Sequence, residues 1–449
     1  MPVTEASTPI TSRWTKLRNV KEQKFLWRSR YRFKVVPAGR RSGKTELAKR
    51  RIVLAALAPP GSPWASTFDD PRYAVAAPTY AQAKRIYWED LKKMIPRKLI
   101  KDISESALTI TTVLNSSITV VGLDKPERIE GTPWDGVIVD EYGNVKASAW
   151  PQNIRPALSD RMGWAWLIGV PEGRNHYYTT AEDAKARQLA GEQEWGFFTW
   201  PSRLVLPASE IEAAMRDLDE LTFKQEYEAS FVNFKGRAYH AYGDHNLRKL
   251  DHDPKAPIYF CFDFNVDPGV AGVCQKMTFD NRPGLGAIGE VHIPLNSNTE
   301  AVCRKLIADW GTHQGIVYIQ GDATGGARGT AQTQGSDWDI INTMLRDHFG
   351  TRVISLVPTH NPTERARVNA VNSLCRSAAG HIRFYVDPAR APMLHRDFDG
   401  VRLLEGGSGE IDKKKDPALT HLSDAVGYLI VSEFPIDTTP TVATVRIRG

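Results

Sequence analysis

Hydrophobic residues in this chain come mostly as short, dense runs set between polar or helical stretches. Five occupy the first half: FKVVPA (33–38), RYAVAAPT (72–79), SITVVGL (117–123), DGVIVDEY (135–142) and WAWLIGVP (164–171). Runs of this length, separated by helical or loop segments, predict an α/β domain built on a largely parallel sheet. Beyond residue 180 the strand signal fades, and SEIEAAMRDLDELTFKQEYEASF (209–231) reads as helices. An α/β core is therefore expected over 1–180 and a small helical lid over 181–235.

The segment 236–257 is polar, with Gly, His and Pro, and reads as a linker. A second domain is expected over 258–434. It opens with three closely spaced strand candidates, IYFCFDFNV (258–266), GVAGVCQK (269–276) and GAIGEVHI (286–293). A helix over 299–312, a strand GIVYIQGD (315–322), further helix, a strand RVISLVP (352–358) and a closing helix LSDAVGYLIVSEF (422–434) follow. A three-strand meander and then alternating helix and strand is the order of an RNase H-like fold with a mixed sheet. Residues 435–449 read as a loose tail.

A chain of 449 residues has room for two or three domains, each with its own core. The net charge of +6 is modest but unevenly spread: residues 12–34 carry nine Lys or Arg against the single Glu22. A basic arm of that density suits a polyanion, while a solvated face is the ordinary reading of a charge run. No apolar run reaches the length of a membrane span, and MPVTEASTPITSRWTK has no apolar signal-peptide core, so no membrane association is expected. Cys261, Cys274, Cys303 and Cys375 show no CxxC pairing and no His at zinc-finger spacing. They read as small buried hydrophobes in a reducing cytoplasm.

The first candidate chemistry lies at Ala38-Gly39-Arg40-Arg41-Ser42-Gly43-Lys44-Thr45, a G-x-x-x-x-G-K-[ST] phosphate loop whose first glycine is alanine. Loop N–H groups and a helix N-terminus wrap phosphates in such a loop. Lys44 would neutralise the β- and γ-phosphates, and the Thr45 hydroxyl would ligate Mg²⁺. Downstream, Gly136 and Val137 to Val139 run into Asp140-Glu141. A buried parallel strand ending in two carboxylates is a Walker B arrangement, with Asp140 toward Mg²⁺ and Glu141 polarising water. Phosphoryl transfer also uses a cation on the developing charge, worth about three to five orders of magnitude when it is an arginine finger. Arg40 and Arg41 are candidates in cis. Arg128, in KPERIEGTPW, is the candidate for reaching a neighbouring subunit, and a surface ion pair is its equal alternative.

The second domain carries a carboxylate set. Asp263 falls at an inward position of the first strand, Asp322 at the end of the fourth, and Asp424 in the first turn of the last helix. In an RNase H-like fold these positions meet, and carboxylates brought that close require a divalent cation, Mg²⁺ or Mn²⁺. Two such metals activate water and stabilise the leaving oxygen in phosphodiester cleavage. Each Asp alone also reads as a cap or turn residue; their order along the fold argues against coincidence. Glu290, Asp267 and His421 are weaker candidates.

AGRRSGKT, APTYAQAKRIYWEDL, RIEGTPWDGVIVDE, GVPEGRNHYY, FKQEYEASF, CFDFN, GDATGG and HLSDAVGY occur in that order over nearly the whole chain. The ordered set resembles the large terminase subunits of tailed bacteriophages, the motor-nucleases that package viral DNA. The resemblance implies an ASCE-type P-loop ATPase joined to an RNase H-like endonuclease, using ATP with Mg²⁺, and Mg²⁺ or Mn²⁺ at the nuclease centre. It implies double-stranded DNA, a portal protein and a small terminase subunit as partners, and a homo-oligomeric ring on the portal. It also implies a place in the bacterial host cytoplasm, docking transiently on the procapsid and absent from the mature virion. Gln23, near Phe25 and Trp27, falls where the family contacts adenine, and Arg128 where a trans-acting finger is proposed in some members. Three departures stand out: Ala38 for the first loop glycine, Tyr142 where a small residue often follows the acidic pair, and Gly169-Val170-Pro171 in place of a Ser/Thr-Thr-Pro coupling motif. Asn175 or His176 is then the substitute sensor. Two other readings compete: a repair or restriction helicase-nuclease, which needs a second RecA-like core, and a DNA-binding motor component with an inert nuclease fold.

Overall fold

The computed structural model describes residues 20–59, 61–62, 65–232, 236–264, 267–323, 336–404, 410–413 and 419–436. The first part of the basic arm, the last three residues of GDATGG and most of the expected tail lie outside them. The chain divides into two compact units. One comprises the described residues up to 211 together with 224–232, the other 212–223 and those from 236 onward.

In the first unit the strands are β1 (Phe33–Pro37), β2 (Arg72–Ala77), β3 (Ile100–Ser104), β4 (Thr109–Thr112), β5 (Ser117–Gly122), β6 (Gly136–Val139), β7 (Trp164–Gly169) and β8 (Trp195–Phe197). They form one sheet in the order β3-β4-β5-β2-β6-β7-β1-β8. From β5 to β8 every neighbouring pair is parallel, and β3 and β4 extend one edge antiparallel. The apolar runs are dense because both faces are covered. Val36, Val75, Ile138 and Ile168 meet Leu47, Ala48 and Ile52 of the helix Lys44–Ala56 on one side. Val35, Ala76, Val137, Val139 and Leu167 meet Trp150 and Tyr177 on the other. The expected helical lid is not a body of its own: it supplies β8, which pairs with β1, and its helices Ala208–Asp217 and Glu220–Glu226 are shared between the two units.

The second unit holds β9 (Ile258–Asp263), β10 (Gly269–Phe279), β11 (Arg282–Ile293), β12 (Val317–Gly321), β13 (Val353–Ser355) and β14 (Phe384–Val386) in the order β13-β12-β9-β10-β11-β14. β9, β10 and β11 make the antiparallel meander, and β12 and β13 join β9 in parallel. One face packs on the helices Glu364–Cys375, Pro392–Gly400 and His421–Glu433, the other on Thr299–Trp310 and Asp337–Phe349. The stretch expected as a linker differs from expectation. Ala238, Tyr239 and Tyr242 are fully buried, the two tyrosines against Phe398 with ring centroids 4.8 and 5.2 Å apart. Aromatic burial outweighs the polar composition around it. All four cysteines are buried and unpaired.

The ends of β9 and β12 are held close by a missing side chain. A Cβ on Gly321 would overlap the carbonyl oxygen of Phe262. Gly321→Ala should therefore push apart the strand ends that carry Asp263 and Asp322, with a loss of about 1–3 kcal/mol. Denaturant titration measures it; an unchanged midpoint would show that the strands separate without strain.

Candidate functional site

β1 ends in the phosphate loop, whose shape is set by its own backbone and its neighbours. Arg41 (φ 58°) and Gly43 (φ 85°) are left-handed, so the chain reverses into the helix Lys44–Ala56. Gly39 is obligatory in this setting, because a Cβ there would fall 2.6 Å from the Ser202 nitrogen and 2.7 Å from the Tyr227 carbonyl oxygen. The same two segments brace the loop: Gly39 N–H donates to Trp200 O (3.0 Å), Arg40 N–H to Glu226 O (2.6 Å), and the Ser202 hydroxyl to Arg40 O (2.6 Å). The Arg40 guanidinium is engaged by Glu226 at 2.6 Å, and Arg41 is exposed. Gln23 is buried and bonded at both ends of its amide. It donates to Ser42 O (2.8 Å) and accepts from Val20 N–H (3.2 Å). Phe25, beside it in sequence, is half exposed and rests on Phe198.

The helix entered from Gly43 has no side-chain cap, leaving its first-turn N–H groups for an anion. Ser42 Oγ is buried without a hydrogen-bond partner among the described residues. An orphaned hydroxyl beside an uncapped helix start fits a phosphate. Lys44 is buried and reaches back to Gly39 O at 3.4 Å.

β6 delivers the acidic pair. Asp140 is 1% exposed, and its Oδ2 accepts from Thr45 Oγ1 and from the Tyr87 hydroxyl, each at 2.9 Å. Its Oδ1 accepts from Glu141 N–H at 3.0 Å. Thr45 and Asp140 thus meet across 95 residues, as a shared Mg²⁺ position requires. Glu141 sits in a left-handed conformation (φ 50°), and burial holds its carboxyl above the usual range, with Lys44 opposing and Asp140 adding. Tyr142 is buried, edge-on to His176 and Tyr177. Asn175 donates to Gly143 O (2.8 Å) and caps the helix His176–Leu189, while His176 Nε2 lies 3.0 Å from Tyr142 O. The segment after Gly169-Val170-Pro171 is in this way tied to the turn after Glu141. Arg128 stands apart on the turn Pro126–Ile129, half exposed, 3.9 Å from Asp124.

In the second unit Asp263 ends β9 and Asp322 follows β12, whose Gly321 is in register with Phe262. Asp424 lies in the first turn of the helix His421–Glu433. Tyr428, one helical turn beyond Asp424, lies within electrostatic reach of all three carboxylates. Each has a protein partner. His421 Nδ1 is 3.1 Å from Asp263 Oδ2, Asn361 donates to Asp322 (2.7 Å), and Arg367 and Lys413 pair with Asp424 at 2.7 and 3.2 Å. Arg367 is buried, with Nε and Nη1 unpartnered among the described residues. Burial raises the Asp424 carboxyl's pKa, and Arg367 and Lys413 oppose it.

An all-oxygen donor set suits Mg²⁺ or Mn²⁺. The half-exposed Lys413 ammonium on Asp424 marks where a hard cation is electrostatically favoured. Among the described residues, no three His, Cys, Asp or Glu side chains form a ready-made cage. Two candidates fall elsewhere. Glu290 accepts from Met393 and Leu394 N–H (2.9 and 2.7 Å) at the start of the helix Pro392–Gly400. Asp267 is exposed and accepts from Ser297 N–H (2.9 Å). Sequence reasoning missed Tyr87, Asn361, Arg367 and Lys413. An arginine on the apolar face of ERARVNAVNSLC was the one available signal.

No family model matches the chain. A large terminase subunit from Thermus phage G20c is 30% identical over 173 residues, covering 34% of this chain and 34% of that protein. The one from Escherichia phage T5 is 25% identical over 251 residues, covering 54% of each. This chain is related to the large terminase subunits. The matches span about a third to about half the length of those curated relatives. A solved large terminase from a thermophilic bacteriophage extends the likeness in fold: TM-score 0.58 and 17% identity, over 92% of this chain and 98% of that one. The same protein in complex with ADP superposes with TM-score 0.57 at 15% identity. The architecture is that of a large terminase, a P-loop α/β domain followed by an RNase H-like domain.

Asp397 supplies a test of the carboxylate region. It accepts from Leu422 N–H (2.9 Å) and Ser423 N–H (3.2 Å) at the head of the Asp424 helix, and burial pushes its pKa up to about 7. The native carboxyl then binds a proton that the unfolded one has released, so this group's contribution to stability falls as pH rises from about 4 to about 7. Asp397→Asn keeps a neutral acceptor at every pH. Its stability relative to the native protein should rise across that window, by on the order of a few kcal/mol at pH 8. Parallel stability-pH curves for the two proteins would refute the assignment.

Proposed function

We propose that the chain is a large terminase subunit that hydrolyses ATP to drive double-stranded DNA through a portal into a procapsid and cuts concatemeric DNA with its own metal-dependent nuclease. The observation carrying this reading is the Thr45–Asp140 contact beneath an uncapped phosphate loop, in a chain whose second unit sets Asp263 at the end of β9, Asp322 just past β12 and Asp424 in the first turn of its last helix. A repair helicase-nuclease is disfavoured because the described residues contain one P-loop sheet and no second RecA-like one. An inert nuclease fold is disfavoured by three carboxylates set at two strand ends and the head of a helix.

In this reading Lys44 and the loop N–H groups of 39–45 bind the phosphates, Thr45 and Asp140 hold Mg²⁺, and Glu141 orients water. The cation neutralises phosphate charge when bound. Glu141 is raised by burial and must be ionised to accept the proton, so turnover is lost as pH falls through a pKa above the ordinary glutamate range. Arg40 or Arg41 in cis, or Arg128 in trans, supplies the finger. Gln23 borders the base, and Asn175 relays the state of the loop after Glu141. Asp263, Asp322 and Asp424 hold Mg²⁺ or Mn²⁺ for phosphodiester hydrolysis, with His421 orienting Asp263. The partners are a portal protein, a small terminase subunit and further copies in a ring, at the procapsid in the host cytoplasm. Among the described residues no helix is long and apolar enough to cross a membrane.

Lys44→Ala and Glu141→Gln should each lower phosphate release at least 100-fold without moving the melting temperature by more than a few degrees, by analogy with single electrostatic groups in other sites. Asp263→Ala, Asp322→Ala and Asp424→Ala should each abolish Mn²⁺-dependent plasmid cleavage. Wild-type rates throughout either series would sink the corresponding half of the proposal.

The finger has its own experiment. If Arg128 acts on a neighbour, Arg128→Ala and Glu141→Gln proteins are inactive alone. Mixed under conditions that support assembly, they regain part of the ATPase rate. No recovery assigns the finger to Arg40 or Arg41.

A further inference from the structure

A buried tyrosine beneath the nucleotide site has no role in the reading above. We propose that Tyr87 is a positioning residue that sets the Asp140 carboxylate for the divalent cation accompanying the nucleotide; this rests on the nucleotide reading.

After β2 the chain forms helix from Tyr80 to Met94, interrupted by a π-helical turn over Lys84–Trp88. Such turns insert one extra residue into a helix and occur often at functional sites. Here the turn buries both Tyr87 and Trp88. The Trp88 indole Nε1 donates to Glu105, just past β3 (2.7 Å), and the Tyr87 phenol donates to Asp140. Lys49 braces the turn from the phosphate-loop helix, bonding Asp90 (2.7 Å) and Glu46 (2.9 Å) with its ammonium 6.0 Å from the Tyr87 ring centre.

Tyr87 and Thr45 converge on one Asp140 oxygen, and Glu141 N–H takes the other. Three donors from three elements fix the plane of the carboxylate. A phenol is suited to the task because it donates without adding positive charge, so Asp140 keeps its full attraction for a cation. Thr45 alone is a weaker anchor, since its oxygen is also the expected metal ligand. The competing explanation is a buried tyrosine whose hydroxyl takes the nearest acceptor. That role lowers stability when removed but leaves the metal step untouched.

The test uses the full chain, a fluorescent ADP analogue and Mg²⁺. Tyr87→Phe removes one oxygen; Trp88→Phe, in the same turn, controls for packing. Binding of the ADP analogue without Mg²⁺ should agree within twofold among all three proteins. The Mg²⁺ concentration that tightens ADP analogue binding should rise roughly tenfold in Tyr87→Phe, the size typical of losing a hydrogen-bond partner of a metal ligand. Trp88→Phe should lower the melting temperature and leave the Mg²⁺ titration in place. A second measurement needs no substitution: in protein carrying ¹³C at the tyrosine ζ carbon, the buried Tyr87 signal should move when Mg²⁺ joins ADP and stay still with ADP alone. An unchanged Mg²⁺ titration in Tyr87→Phe, or a signal that ignores Mg²⁺, overturns the role of Tyr87. A wild-type protein whose ADP affinity is insensitive to Mg²⁺ overturns the nucleotide reading itself.

Discussion

Asp140 is an almost fully buried carboxylate at the end of a buried parallel strand, and the surrounding site bonds both of its oxygens. An ionised carboxylate so deep is costly unless its oxygens are bonded. β7 lies between β6 and β1, so the loop's own first residues cannot reach it; Thr45, at the start of the following helix, does. The π turn after β2 brings Tyr87 from the other side, and the left-handed Glu141 turns its own N–H back onto Asp140.

The parts of the fold readable in the sequence are those buried on two faces. β1, β2, β5, β6 and β7 sit inside the first sheet and read as dense apolar runs. β3 is different: three of its five residues are exposed, so its apolar content is diluted, and β8 and β14 are three residues long. The P-loop and acidic pair were legible because their spacing is dictated by backbone geometry around a phosphate. Tyr87 was not, since a tyrosine among Ile86, Trp88 and Leu91 is indistinguishable from core until the β6 carboxylate is seen beneath it. Glu290 misled for the opposite reason. A carboxylate on a central strand can serve a ligand or a helix start, and here the amides of Met393 and Leu394 claim it.

The departure at Gly169-Val170-Pro171 has a physical counterpart nearby. Without a hydroxyl in that segment, contact with the acidic turn passes to the two residues that start the next helix. Asn175 and His176 together bind the carbonyls of Gly143 and Tyr142. Tyr142, larger than the residue expected there, wedges between His176 and Tyr177 and leaves the turn little room to move independently. Gly169 fits closely under it, with a Cβ position 3.3 Å from Tyr142 N. The bulky residue and the missing hydroxyl are two sides of one packing solution.

The two carboxylate centres answer the same electrostatic problem by opposite means. Asp140 is satisfied mainly by neutral donors, the hydroxyls of Thr45 and Tyr87 and a backbone N–H. None of these donors carries a charge. Asp424 is satisfied by charged groups, the buried Arg367 and the half-exposed Lys413. Its charge faces two resident cations, one of them a lysine whose side chain reaches solvent. Arg367 does not: it is sealed beneath Gly427 and lies over the Tyr428 ring. The two carboxylates are distinguished, in this chain, by the kind of donor that guards each.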